Sequence, residues 1–133
     1  MVTAFYVDTS VAGHAMLRQS APAVAWFEDA AEAHELVSSR LIKTELTRLA
    51  RRELVPFAVR DEVLDFIGLI PVDHAVLMEA EAIVPHVRTL DAIHLGAALR
   101  SGIEGLIVAS HDARMLEVAT QMGFETVDPC VGA

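Results

Sequence analysis

Cysteine is almost missing from this 133-residue chain: Cys130 stands alone, so an internal disulfide and a cysteine-rich zinc site are both excluded. By itself it reads as an incidental small apolar residue close to the end of the sequence. Uninterrupted apolar runs long enough to cross a bilayer, about 20 residues, are also lacking, because a charge breaks each one sooner. No basic segment precedes a signal-like apolar stretch at Met1, and the expectation is a cytoplasmic protein. Repeats, low-complexity tracts and Gly/Ser linkers do not occur, so residues 1–133 are expected to form a single domain. No Gly-x-Ser-x-Gly elbow or Gly-rich phosphate loop is present, and the six histidines share no spacing such as His-Glu-x-x-His. Structural roles are expected for them. Positive charge is scarce as well. Ten Lys and Arg stand against 19 Asp and Glu for a net charge of −9, which excludes a broad basic surface for nucleic acid.

What is abundant is apolar side chain, 53% of residues, with a mean hydropathy of +0.42. With a membrane span excluded, that content implies buried strands and an interface with another subunit or a partner. Residues 2–7 form an apolar run of β-formers ending at Asp8-Thr9-Ser10, which has cap chemistry for a following helix. Pro22 opens a helix through Ala33 with Trp26 and Phe27 on its packing face, and residues 35–39 make a short strand. Helical spacing covers 41–53 and 56–68, and a third strand is expected over 69–72, where Pro71 suits an edge or a strand end. Residues 75–84 and 90–101 read as helices divided by Pro85. Gly102 and Gly105 then lead into a buried strand over 106–109. A helix from Asp112 to Gln121 is stopped by Gly123, and 125–127 offers a last strand. Strands alternating with helices predict an α/β fold: a parallel sheet of four to five short strands with helices on both faces. Ligands of such sheets sit beyond the carboxyl ends of the strands.

Four acids fall where that geometry makes them candidates. Asp8 and Asp112 follow the two best strands directly, and each also suits an N-cap, worth about 1 kcal/mol. At ~100° per residue, Glu45 falls within the apolar arc of Leu41, Ile42, Leu46, Leu49 and Ala50. An inward carboxylate needs a partner, either a metal ion or one of Arg48 and Arg52. Asp91 lies in the first turn of its helix, with Thr89 as the expected cap. There the helix dipole favours it, yet it shares a face with Leu95 and Ala98. Four carboxylates at one sheet end repel one another unless a cation joins them or some stay protonated. Oxygen-only donors suit Mg²⁺ or Mn²⁺. The general acidity exceeds what these four account for, so an RNA ligand would need local contacts. Arg40, Lys43, Arg48, Arg51 and Arg52 supply a basic run around Glu45 that serves either as a phosphate contact or as a solvated face. Arg114 is a further candidate contact. Trp26, Phe27, Leu36 and Leu46 suit core packing first and an interface groove second.

The ordered blocks Tyr6-Val-Asp-Thr-Ser10, Thr44-Glu-Leu-Thr-Arg48, Arg88-Thr-Leu-Asp-Ala-Ile-His-Leu95, Ile107-Val-Ala-Ser-His-Asp-Ala-Arg-Met115 and Gly123-Phe-Glu-Thr-Val127 resemble the PIN-domain family. Within it, the chain is most similar to the VapC-type toxins of toxin–antitoxin pairs. The resemblance spans essentially the whole chain. It implies that Asp8, Glu45, Asp91 and Asp112 are the metal-binding and catalytic acids, with Ser110 orienting water or a ligand. It also implies a Mg²⁺- or Mn²⁺-dependent endoribonuclease that hydrolyses RNA phosphodiesters, a homodimer, and a cognate antitoxin whose C-terminal part covers the active site. His111 sits at a variable position of that pattern. The alternative is a PIN-like scaffold that binds a protein partner without cleaving, against which the presence of all four acids counts. A haloacid-dehalogenase-type phosphatase needs a second acid where Ser10 stands. A receiver-like domain needs a late lysine, and Lys43 is the only lysine.

Overall fold

Alternation along the first strand explains how two separate cores form. The computed structural model describes residues 2–131. In it, β1 (Ala4–Val7) turns Phe5 and Val7 to one face and Tyr6 to the other. The first face is packed by α1 (Thr9–Leu17), α2 (Ala21–Ala33), α3 (Leu41–Arg52) and α4 (Phe57–Leu64). The second is packed by α5 (His74–Ala82), α6 (Thr89–Arg100) and α7 (Ala113–Gln121). β2 (Glu35–Ser39), β3 (Ile67–Ile70), β4 (Ile107–Ala109) and β5 (Glu125–Val127) complete a parallel sheet in the order β3-β2-β1-β4-β5. The expected architecture is present: five short parallel strands with helices on both faces. Among the described residues no helix is long and apolar enough to cross a membrane.

That strand order positions the site. The chain winds outward from β1 through β2 to β3, then returns to pair β4 on the other side of β1. The crevice at this reversal opens beyond the carboxyl ends of β1 and β4. Asp8 N–H donates to Ala109 O at 3.2 Å, so Asp8 is the last rung between the two strands.

Two expectations need correction. The helix expected over 56–68 ends at Leu64, and the third strand runs over Ile67–Ile70 instead of 69–72. Apolar spacing carried the helical reading too far. Ile67 in fact pairs with Leu36 across the open edge of β2 and is buried beneath α1–α4. Tertiary backbone pairing overrode local periodicity. Pro71 follows this edge strand directly, where its missing N–H costs the ladder nothing. The second correction is that Thr89 is the first residue of α6. The cap position is Arg88, which makes no side-chain cap bond.

Of the four candidate interface residues, Leu36, Leu46 and Phe27 are buried, and Trp26 packs edge-on against Phe5 at 5.1 Å. Core packing accounts for Trp26, Leu36 and Leu46, whereas Phe27, though buried, also lines an apolar surface groove.

α5 and α6 approach closely because Gly96 has no side chain. A Cβ there would stand 2.7 Å from Val76 O and 3.0 Å from Ala80 N, both backbone atoms. Since α6 carries Asp91, this contact fixes the depth of one candidate acid. Gly96→Ala is expected to destabilise the protein by about 1–3 kcal/mol through overpacking, despite alanine's better helix propensity. Urea denaturation checks this, and an unchanged midpoint would contradict the packing account.

Candidate active site

All four candidate acids meet. Asp8, Glu45, Asp91 and Asp112 line one small cleft of about 110 Å³, together with Thr9, Ser10, Arg88 and His94. They arrive from four separate elements.

For Asp8 and Asp112 the cap and the cluster prove compatible. Asp8 caps α1 by accepting Val11 N–H on Oδ1 at 3.2 Å, and the same oxygen accepts the Ser10 hydroxyl at 2.6 Å. Its other oxygen accepts the Ser110 hydroxyl at 2.5 Å. Asp112 caps α7 with Oδ1, accepting Met115 N–H at 3.0 Å, and leaves Oδ2 to face Arg88. Ser110 links the two acids. While donating to Asp8 it accepts Asp112 N–H at 3.0 Å. Its hydrogen is therefore committed to orienting Asp8.

Glu45 does point inward, as its helical position required. Its partners are neither Arg48 nor Arg52. Oε1 accepts Thr9 Oγ1–H at 2.6 Å and contacts His94 Nε2 at 2.6 Å. His94 is 1% exposed, and its Nδ1 lies 2.8 Å from the Tyr6 hydroxyl, which also accepts Ser39 N–H at 3.0 Å. Hydrogen-bond bookkeeping fixes the polarity. A carboxylate can only accept, so Nε2 carries the proton. With neutral imidazole Nδ1 then accepts, and the Tyr6 hydroxyl donates to it. A chain from Ser39 N–H through Tyr6 and His94 thus ends on Glu45. Sequence reasoning had given His94 a packing role. Its spacing three residues after Asp91 put it on the correct face, but nothing local announced Tyr6 as its partner.

Arg88 was also unassigned. Its Nε donates to Asp91 Oδ2 at 3.2 Å and its Nη2 to Asp112 Oδ2 at 2.8 Å, while the side chain remains 77% exposed. A cation already bridges two of the acids. Among the described residues, no hydrogen bond engages Glu45 Oε2 or Asp91 Oδ1. Both oxygens remain available to a ligand.

The acids differ in their ease of ionisation. Burial raises the Asp8 carboxyl above its ordinary value, and the bonds from Ser10 and Ser110 only partly offset this. Asp91 is raised by burial too, against the pull of Arg88 and with a push from Asp112. Burial acts on Glu45 in the same direction, but the bonds from His94 and Thr9 and the charge of Arg88 outweigh it. Its pKa is lowered.

Three residues of the basic run, Arg48, Arg51 and Arg52, lie beside this cleft, whereas Arg40 and Lys43 do not line it. A groove of about 920 Å³ starts at Thr9 and Glu45 and is walled by Thr44, Arg48, Arg51 and Arg52. Arg114 is not part of it. Its Nε donates to His86 O at 2.7 Å and its Nη1 lies 3.2 Å from Glu117.

The sequence pattern of the PIN domain family matches residues 5–121. Ribonuclease VapC46 of Mycobacterium tuberculosis (strain ATCC 25618 / H37Rv) is 36% identical over 99 residues, covering 72% of this chain and 75% of its own. Ribonuclease VapC47 of Mycobacterium tuberculosis (strain CDC 1551 / Oshkosh) is 32% identical over 101 residues, covering 74% of each. Among solved structures, DNA-bound VapBC from Salmonella typhimurium superposes with a TM-score of 0.71 at 18% identity, over 98% of this chain and 100% of that one. VapBC2 from Rickettsia felis, bound to a promoter DNA fragment, gives 0.69 at 8% identity over 95% and 98%. These two likenesses bear on the fold.

Because folding raises the Asp8 pKa, its contribution to stability is present at low pH and is lost as pH rises through the folded value. Asparagine caps helices as well as aspartate does and carries no charge. In chelator, Asp8→Asn is therefore expected to melt above the parent at pH 8, with the gap closing toward pH 4. Thermal melts at the two pH values check this, and a variant less stable at pH 8 would contradict it.

Proposed function

The chain belongs to the PIN domain family, and from that premise we propose that it is a divalent-cation-dependent endoribonuclease, the toxin of a toxin–antitoxin pair acting in the cytoplasm. The observation that carries this reading is the convergence of Asp8, Glu45, Asp91 and Asp112 on one cleft. Their donor set is oxygen only, which fits Mg²⁺ or Mn²⁺ and not zinc. Arg88, held between Asp91 and Asp112, marks the countercharge these acids require. The four acids would hold the ion or ions. When bound, such an ion lowers the pKa of water and offsets charge building on the phosphoryl oxygens.

The chain's own groups have separable tasks. Ser10 and Ser110 hold both Asp8 oxygens in place, and His94 with Thr9 fixes Glu45 through Oε1 so that Oε2 faces the ligand. Positioning of this kind prepays the reorganisation a charged transition state would otherwise demand. In the reaction, water oxygen bonds to phosphorus and the bond to the leaving ribose oxygen breaks. A cluster carboxylate takes the water proton, and the leaving oxygen gains one. Arg88, largely exposed, is free to exchange an acid for a substrate phosphate. Arg48 and Arg52 extend the phosphate contact along the groove. The VapC names of the ribonuclease relatives and the VapBC titles of the fold neighbours support both substrate and partner.

An antitoxin would silence the enzyme by covering the acid cleft. An apolar groove of about 610 Å³ between α1, α2 and α4, lined by Met16, Phe27, Val59 and Phe66 and rimmed by Glu28 and Glu62, supports a seat for the rest of such a partner. Leu77 and Met78 on α5 and Leu99 on α6, all exposed, support homodimerisation.

Purified protein is expected to cleave a fluorogenic RNA with Mg²⁺ or Mn²⁺ and to lose that activity in EDTA. Asp8→Asn should abolish cleavage while the fold survives. A flat, EDTA-insensitive signal would favour the non-catalytic scaffold. Independently, the Arg48→Gln/Arg52→Gln double variant should weaken RNA binding across sequences and flatten log K against log salt by about 0.7 per lost phosphate contact. An unchanged salt slope would remove these arginines from the interface.

A further inference from the structure

Three soft donors meet outside the carboxylate cleft. His14 from α1, His111 just past β4 and Cys130 past β5 each bring one donor atom to within 4.8 Å of the others. The two imidazole rings pack edge to face at 5.3 Å. His14 Nδ1 is buried and has no hydrogen-bond partner, a state that costs about 1–3 kcal/mol and calls for an occupant. His111 Nδ1 lies 3.0 Å from Asp128 Oδ2, and Asp128 Oδ1 accepts Cys130 N–H at 2.9 Å.

We infer that His14, His111 and Cys130 form a second metal site, selective for a borderline-soft cation of the zinc class and distinct from the oxygen-only cleft. Two imidazoles and a thiolate with one open position are a donor set zinc favours and magnesium does not. Zinc bonds of about 2.0–2.3 Å place neighbouring donors roughly 3.5 Å apart, so donors already within 4.8 Å of one another need close by no more than about 1.3 Å. His111, 44% exposed, is the ligand least confined by packing. Asp128 completes the arrangement. It accepts a hydrogen bond from His111 Nδ1–H, which fixes the tautomer and leaves Nε2 as the ligand atom. The Asp128 carboxylate beside both His111 and Cys130 favours a cation that displaces the thiol proton on binding. The site also reaches the carboxylate cleft, because His111 N–H donates to Ser10 Oγ at 2.8 Å and Ser10 in turn holds Asp8.

The test is titration of the full chain with Co²⁺ and then Zn²⁺, in excess Mg²⁺ to saturate the carboxylates. A thiolate-to-cobalt charge-transfer band should rise to one equivalent and vanish when zinc is added. It should be lost in Cys130→Ser and kept in Asp91→Asn. Asp128→Asn should weaken zinc about 10–100-fold, and His14→Gln at least as much. In the unmutated chain, zinc should also slow alkylation of Cys130. No charge-transfer band, unslowed alkylation, or equal zinc affinity in the parent, Cys130→Ser and His14→Gln would each overturn the site. None of these readouts depends on RNA cleavage.

Discussion

The Asp8 carboxylate, 3% exposed at the end of the central strand, is the constraint around which this end of the protein is organised. A bare charge there would be prohibitively costly. The fold answers with two serine hydroxyls, one backbone N–H and a place beside three further acids. Each of those partners has a second duty. Ser110 also holds Asp112, Ser10 also holds the His111 backbone, and the Val11 N–H belongs to the first turn of α1. The loops after β1 and β4 are therefore locked to each other through one carboxylate. Their separation is set by the β1–β4 pairing behind them.

The helix caps show how a cluster of acids can persist in a folded chain. Asp8 and Asp112 each use one carboxylate to end a strand, start a helix and face a cleft. Helix N-termini partly compensate the negative charge they cap, so part of the repulsion between the acids is absorbed locally. Arg88 takes up more of it between Asp91 and Asp112. Glu45 follows a different route. It is held by the His94–Tyr6 chain that crosses from α6 to β1 and ties in the Ser39 N–H of β2. Its acidity consequently moves in the direction opposite to that of Asp8 and Asp91.

Net negative charge and the proposed RNA substrate are reconciled by location. The groove bearing Arg48, Arg51 and Arg52 begins at the same Thr9 and Glu45 that wall the cleft. Phosphate attraction falls off within roughly one Debye length, about 8–10 Å. On that proposal a few arginines beside the acids govern approach to the site, while the acidic remainder discourages binding elsewhere. Arg114 is engaged instead by His86 and Glu117 and does not line this groove.

The sequence by itself determined the α/β class, the two central strands, and the four acids. Alternating strand and helix periods, charge at strand ends and an inward carboxylate are all local properties of the chain. Glu45 was legible as inward because a helix repeats every few residues. Asp8 and Asp112 were legible as strand-end acids because β1 and β4 are short and wholly apolar. Tertiary structure alone decided who holds those acids. The partner of Glu45 is a histidine 49 residues away, itself held by a tyrosine 88 residues from it. The register of β3 likewise depended on the open edge of β2, against the helical spacing of its own residues. The soft-donor cluster follows the same rule, since His14, His111 and Cys130 share no sequence spacing and meet only because the segments after the paired strands β4 and β5 come beside α1. Periodicity reports which way a side chain faces, whereas the identity of what it faces is fixed only by sheet order and helix packing.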